Sequence, residues 1–358
     1  MTPLGKLIAD LIRAEGPISV ERYMELALAH PDYGYYMNRD PFGASGDFTT
    51  APEISQMFGE LIGLWAAEVW AAMGSPNPVR LIELGPGRGT LMSDALRAAR
   101  IVPEFRNALD VTLIETSPTL AEVQYETLVA SGSPIAWAPN LTEAPAGPAI
   151  VIANEFLDAL PVRQYVLRGG RWRERLIGLD ARDGFAFETS REAELAIPPA
   201  GDEGDILEIN PTSHRLVHQL AHRIARQGGA ALFVDYGHTA TGVGDTLQAL
   251  KQHRSVDPLT EVGEADLTAH VDFASMARSA RAAGVAVYGP LDQGDFLEAL
   301  GLAPRASALA ERSPDRAEEF EGARRRLAGK GEGEMGQLFK AMAIANLSLP
   351  TLPGFEPR

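Results

Sequence analysis

The chain contains no cysteine. That excludes a disulfide framework, a thiolate metal site and a cysteine nucleophile. No window reaches the run of ~20 apolar residues that a membrane-spanning helix needs. The start has neither the short apolar core of a signal peptide nor the Arg- and Ser-rich composition of a transit peptide. Basic residues are in deficit, 32 against 48 acidic ones, for a formal net charge of −16. Counterion-release binding to nucleic acid is therefore excluded as the main activity. Core-forming residues are plentiful: 45% of the 358 residues are hydrophobic, enough for one large or two ordinary domains. The expectation is a soluble, cytoplasmic protein without membrane insertion or a nucleic-acid partner. No internal repeat is present.

One stretch organises the rest. Leu81-Ile82-Glu83-Leu84 reads as a buried strand carrying one acid, and Gly85, Gly87 and Gly89 alternate through the turn that follows. Met92 to Ala99 has helix-forming composition. Glycine is required where backbone takes positive φ or must approach a ligand closely. A dinucleotide-binding turn runs G-x-G-x-x-G/A; Thr90 occupies its sixth position here, so that template fails. The pattern E-x-G-x-G-x-G instead resembles motif I of Rossmann-like S-adenosylmethionine (SAM) methyltransferases. SAM has no pyrophosphate to seat, and a strand-end acid such as Glu83 can meet its cationic ammonium. The plain alternative is an ordinary strand-to-helix turn of an α/β protein.

Repeated β-α-β pattern around this stretch predicts a parallel sheet with helices on both faces. Strands are expected at 81–84, 111–115, near 135–137, 149–153 and 230–235, with helices at 89–100, 118–130 and 211–227. Helical spacing of apolar residues predicts helices over 4–14, 19–29 and 53–73. Ser19 reads as an N-cap. Residues 162–188 alternate around Gly169-Gly170 and read as antiparallel strands. A strand at 246–251, a helix at 272–283 begun by Asp272, a strand at 285–289, a charged helical stretch at 294–328 and a closing strand within 337–347 complete the chain. Composition divides it into an N-terminal helical region with a loop (1–74), a Rossmann-like core with a β insertion near 162–200 (75–290), a helical cap (291–336) and a closing strand and tail (337–358).

In open parallel sheets ligands sit beyond the carboxyl ends of the strands. Glu83, Glu115, Asn154-Glu155 and Asp235 all fall at predicted strand ends and are expected to line one crevice. Glu115 can accept from both ribose hydroxyls, or be a solvated strand-end acid. Asn140 follows the third strand, near the expected adenine position. Glu155 and Asp158 are three apart, so one helical turn would put both on one side, where they could hold a guanidinium or simply be acids in the first turn of a capped helix. Asp235 and Tyr236 either floor an acceptor pocket or form a sheet-edge turn. His270 is a base or a structural histidine. His214, His218 and His222 share a helix face without an H-E-x-x-H pattern and read as a solvated stripe; no metal is expected.

With these residues laid out, the chain resembles the MidA family, SAM-dependent methyltransferases linked to respiratory complex I assembly. The resemblance runs in order over most of the chain: Asp32 to Tyr36, Gly46 to Glu60, Glu83 to Gly89, Asn154 to Pro161, Asp235 to Gly237 and Asp266 to Phe273. It implies SAM as cofactor, S-adenosyl-L-homocysteine (SAH) as product, and methylation of arginine on a protein, a complex I (quinone-reductase) subunit. It assigns Glu83, Gly85, Gly87, Gly89 and Glu115 to the cofactor; Asn140 and Asn154 join the cofactor side from their places after the third and fourth strands. Thr49, Thr50 and Pro52 are assigned to a closing loop. From their own positions, Glu155 and Asp158 are expected to handle the acceptor, with His270 as a candidate base and Asp235 and Tyr236 as candidate acceptor-binding residues; the family motifs do not say which acid does what. Leu157 stands where relatives carry an aromatic. A mitochondrial matrix location follows only for mitochondrial relatives. A non-catalytic SAM-binding assembly chaperone and a small-molecule methyltransferase are the competing readings.

Overall fold

A computed structural model describes residues 1–37, 49–191, 195 and 200–356. Gly46-Asp47-Phe48 of the N-terminal signature lie outside the described residues. The chain forms two compact units, each assembled from three segments: residues 1–48, 158–215 and 240–270 in one, and residues 49–157, 216–239 and 271–358 in the other. The sequence division at 74, 290 and 336 follows composition along the chain, whereas these units interleave.

The larger unit is built on one sheet. Its main strands are β1 (Val79–Leu84), β2 (Leu109–Ile114), β3 (Ile135–Ala138), β4 (Ala149–Asn154), β5 (Gly229–His238), β6 (Ala286–Asp292) and β7 (Phe339–Ala345). They lie in the order β6-β7-β5-β4-β1-β2-β3. β1 to β5 are mutually parallel where they pair, and β7 is inserted antiparallel between β5 and β6. All six residues of β4 are buried, as expected of a central parallel strand covered on both faces. The strand order reverses between β1 and β4, the switch point where such sheets open a crevice. Registers place Leu84 beside Ile114 and Ala153, and Asn154 beside Val234. Glu83, Glu115, Glu155 and Asp235 therefore reach the same sheet edge, as the strand-end pattern predicted. The closing strand pairs with β6 as expected, and with β5 as well.

The helix expected over 53–73 is two helices, Ala51–Ile54 and Gln56–Ala72. Ser55 separates them in extended conformation (φ −162°), and its hydroxyl accepts from Met57 N at 3.3 Å to start the second. Gln56–Ala72 packs closely on the helix Thr90–Ala98. A Cβ added at Gly59 or Gly63 would lie 2.6 Å from Asp94 Cβ or from Ala95 Cα. Nearby, Glu60 is 5% exposed and accepts from Arg305 Nε (2.7 Å) and NH2 (2.9 Å), and also from Arg97. One carboxylate thus fastens the C-terminal helix Leu302–Arg312 and the helix after the glycine turn to the same support.

The smaller unit holds the helices Pro3–Glu15 and Val20–Ala29. Ser19 caps the second through a bond from Arg22 N at 3.0 Å, as its position predicted. Strands Arg163–Arg168, Arg171–Leu179 and Phe185–Thr189 form the expected antiparallel set, with Gly169 and Gly170 both at positive φ in the hairpin turn. Sequence reading missed five short strands: Ile18–Ser19 and Ile206–Ile209 at the flanks of this sheet, Arg254–Val256 and Asp266–Thr268 in a separate three-stranded sheet, and Val271–Asp272, which pairs with β5 in the larger unit. Among the described residues no helix is long and apolar enough to cross a membrane, and no group of three or more His, Asp or Glu could hold a metal ion.

Glu60→Leu is expected to destabilise the protein, at or below the lower end of the roughly 3–5 kcal/mol cost of orphaning a buried charge, because both arginines are partly exposed and can rehydrate. A urea midpoint lowered without a change in slope is the readout.

Candidate active site

The glycine turn at the end of β1 carries three positive φ values in alternation: Gly85 (+60°), Gly87 (+54°) and Gly89 (+81°). Gly85 has a second reason to be glycine. A Cβ there would lie 2.4 Å from Phe156 Cδ2, so the aromatic ring rests on the turn. Gly89 is the N-cap of the helix Thr90–Ala98. The turn is also braced from the N-terminal side. Glu53 accepts from the Thr90 hydroxyl and lies 3.6 Å from Arg88 NH1. Pro52 occupies the first turn of the helix Ala51–Ile54, with Thr50 buried as its N-cap and Thr49 immediately before it.

Glu83 lies beneath this turn, 3% exposed, and its Oε2 is buried without a hydrogen-bond partner. Burial pushes its carboxyl up to about 8. A buried acid with spare acceptor capacity, under a turn of left-handed glycines, fits a cationic ammonium and a close-lying ligand backbone. The amino-acid end of SAM has that chemistry.

Glu115, one residue beyond β2, is held differently. Its Oε1 accepts from Thr116 N and Ser117 N, both at 2.8 Å, and its Oε2 accepts from Gln124 Nε2 at 2.9 Å. Burial raises its pKa, opposed by these bonds from Ser117, Gln124 and Thr116. Of roughly four lone-pair sites on a carboxylate, three are taken, leaving capacity at Oε2 for a hydroxyl. Asn140 is engaged locally: its Oδ1 accepts from Thr142 N at 3.0 Å and its Nδ2 donates to Glu143 at 2.8 Å, capping the short turn Leu141–Glu143.

The segment after β4 departs from expectation. Residues 155–158 are not a helical turn, so Glu155 and Asp158 are not placed by helical spacing, and neither is an acid in the first turn of a helix. Glu155 takes left-handed backbone (φ +48°), a cost of roughly 1–2 kcal/mol for a non-glycine residue. Tertiary contacts enforce it. Glu155 N donates to Val234 O at 2.8 Å, and Asp235 Oδ2 accepts from Phe156 N (3.1 Å) and Leu157 N (2.8 Å). Glu155 Oε1 then accepts from Ala51 N at 2.7 Å and, at 3.4 Å, from Asn154 Nδ2. Asn154 Oδ1 is buried without a hydrogen-bond partner. Asp235, 1% exposed, also accepts from Tyr236 N at 2.9 Å, so its carboxylate braces three backbone amides. Tyr236 is half-buried, with its ring edge-on to Phe339 at 5.4 Å.

Asp158 and His270 belong to the smaller unit. Asp158 is buried; its Oδ1 accepts from Ala159 N at 2.9 Å and its backbone carbonyl from Ala269 N at 3.0 Å. His270 N donates to the Thr246 hydroxyl at 2.8 Å. Asp266, buried in the same unit, accepts from Tyr36 OH at 2.8 Å. Asp272, in the larger unit, caps its helix by accepting from Ser275 N at 2.9 Å. Sequence reading missed Glu53, Thr90 and Gln124, whose bonds join elements far apart in the chain and leave no local pattern.

Glu83 has a consequence for stability. Its carboxyl ionises near 4.5 when unfolded and near 8 when folded, so across that interval the folded state holds a proton that the unfolded state has lost. The stability owed to Glu83 is full below about pH 4.5 and declines until about pH 8. Glu83→Gln is expected to flatten this slope in denaturation midpoints taken across that range without ligand; an unchanged slope would count against the buried, partnerless carboxyl.

A family profile described as "Putative S-adenosyl-L-methionine-dependent methyltransferase" matches residues 61–291. The mitochondrial protein arginine methyltransferase NDUFAF7 homolog of Drosophila melanogaster is 40% identical, with 95% of this chain and 84% of that protein covered. Human mitochondrial protein arginine methyltransferase NDUFAF7 is 37% identical over 87% of this chain and 76% of its own. A Burkholderia thailandensis protein solved with bound SAH superposes with a TM-score of 0.87 at 27% identity, covering 98% of this chain and 94% of that one. The glycine turn, the buried acid under it and the strand order thus sit in a chain that belongs to the S-adenosyl-L-methionine-dependent methyltransferase family, with SAM as its cofactor.

Proposed function

We propose that the protein is a protein-arginine N-methyltransferase acting on a respiratory complex I subunit and supporting assembly of that complex. The observation that carries the cofactor half is Glu83, a buried carboxyl with an unused oxygen under a left-handed glycine turn. The protein-arginine half is supported by the names of relatives at 37–40% identity over most of the chain. A cytoplasmic location fits a chain whose described helices include none able to span a membrane.

In this reading Glu83 takes the ammonium, the turn Gly85–Gly89 lies along the amino-acid tail, and Glu115 Oε2 accepts from a ribose hydroxyl. Thr49, Thr50 and Pro52 close over the cofactor, with Asn154 at its edge. Bound SAM supplies an electrophilic methyl group and leaves as SAH. The acceptor nitrogen must be held in line with that methyl and must lose a proton, which a guanidinium with pKa above 12 gives up reluctantly. Glu155 is the group for both tasks: the Asp235 brace holds its backbone and Ala51 N holds Oε1 of its carboxylate, so its charge can orient the guanidinium and receive the proton. Asp158, His270 and Tyr236 keep acceptor roles on sequence pattern alone.

Two outcomes follow. Pairing Glu83 with an ammonium would pull its carboxyl from about 8 into the ionised form, so SAH binding near pH 7 should release about one proton. Calorimetry in buffers of different ionisation enthalpy measures this, and zero release sinks the ammonium assignment. Glu155→Gln should leave SAH affinity within about threefold yet abolish methylation, scored by mass spectrometry of complex I subunits from a strain carrying the variant. Unmethylated subunits with normal complex assembly in that strain separate the methyl transfer from assembly. Unmethylated subunits already present with the unaltered protein would favour a non-catalytic chaperone.

A further inference from the structure

Gln124 lies in the helix Pro118–Leu128, nine residues beyond Glu115. It is 0% exposed, and both polar atoms of its amide are hydrogen-bonded. Nε2 donates to the Gly87 carbonyl at 2.8 Å and to Glu115 Oε2 at 2.9 Å, while Oε1 accepts from Trp137 Nε1 at 2.9 Å. Three elements meet at one side chain: the glycine turn after β1, the acid after β2 and an indole on β3.

The direction of the amide is settled by its neighbours. An indole N–H can only donate, so the amide oxygen must face Trp137. A backbone carbonyl and a carboxylate can only accept, so the NH2 group must face Gly87 and Glu115. A flipped amide would set its oxygen against two acceptors and its NH2 against a donor. Trp137 is thus the group that makes Gln124 point one way.

We propose that Gln124 is a positioning residue for cofactor binding, held in one orientation by Trp137 and setting the glycine turn and the Glu115 carboxylate relative to each other. The inference rests on the reading that Glu115 accepts from the ribose. Glu115 Oε1 is fixed by the amides of Thr116 and Ser117, which hold one end of the carboxylate. Gln124 alone among the described partners fixes Oε2, the oxygen with capacity left for a ligand. The same NH2 group also holds the Gly87 carbonyl; the path of the turn itself is braced separately by Phe156 and Glu53, so loss of Gln124 frees the Glu115 carboxylate against a turn that stays in place, and the effect is read at the ribose. Gly89 contributes to the seating: a Cβ there would lie 3.5 Å from Gln124 Cα, so the two helices meet closely at this point.

The test uses the full chain and two probes, SAH and its 2′,3′-dideoxyribose analogue, with affinities from calorimetry and thermal midpoints recorded for each variant. Gln124→Leu is expected to weaken SAH about tenfold, the equivalent of one neutral hydrogen bond, and to weaken the analogue less than about threefold. Trp137→Phe keeps an aromatic ring but removes the indole N–H; it should weaken SAH in the same selective way, although Trp137 has no bond to Glu115 or Gly87 among those described. Glu115→Ala should weaken SAH, and adding Gln124→Leu to it should cost little more, because the two act on one contact. If Gln124→Leu weakens both probes equally, or neither, while Glu115→Ala weakens SAH selectively, the positioning role is overturned and the ribose reading stands. If Glu115→Ala leaves SAH affinity unchanged, the ribose reading fails and the inference with it.

Discussion

Carboxylates buried or half-buried at the carboxyl ends of parallel strands must find donors, and this structure is organised by how each one does. Asp235 finds three backbone amides, two of them in the segment after β4. Glu115 finds two amides and a glutamine. Glu155 finds the amide of Ala51. Glu83 leaves one oxygen without a protein donor. An unsatisfied buried acceptor costs roughly 1–3 kcal/mol, and its neighbours show that this sheet edge has donors to give. Strain or incomplete satisfaction of this kind collects at functional sites, and here it coincides with the glycine turn.

The same bonds build the site's walls. Asp235 holds Glu155 in a conformation that its own sequence neighbourhood does not favour. Phe156 then lies on Gly85, which ties the end of β4 to the end of β1 across the switch point. From the other side Glu53 reaches Thr90 and Arg88. With Gln124 holding the Gly87 carbonyl, the glycine turn is gripped by three separate segments. A preorganised turn loses less freedom on binding, which is how a modest number of contacts can yield useful affinity.

Much of this was legible in the sequence, for physical reasons that can be named. The central strands are apolar on both faces, so they stand out as runs. The turn has alternating glycines because three residues need left-handed backbone. Ser19 and Asp272 announce helix starts because capping is a local bond. What was not legible depended on distant partners. The carboxylate spacing at 155–158 suits a helix; the residue that forbids the helix, Asp235, is 78 and 79 positions from the amides it holds. Ile206–Ile209 and Arg254–Val256 are short, partly polar strands defined by their pairing more than by their pattern. Gln124 looks like any helical glutamine until Trp137 and Gly87 close around it.

The antiparallel strand β7 sits between β5 and β6, although it is last in the chain. During synthesis from the N-terminus, seven positions along β5, Ala230 to Tyr236, lack their partner on that side until residues 339–345 leave the ribosome. β6 meanwhile has no neighbour in the sheet. An open edge of that length recruits strands from other chains. A message truncated before codon 339 would thus yield a product that keeps every residue of the glycine turn and every strand-end acid, yet carries an adhesive edge in place of a finished sheet.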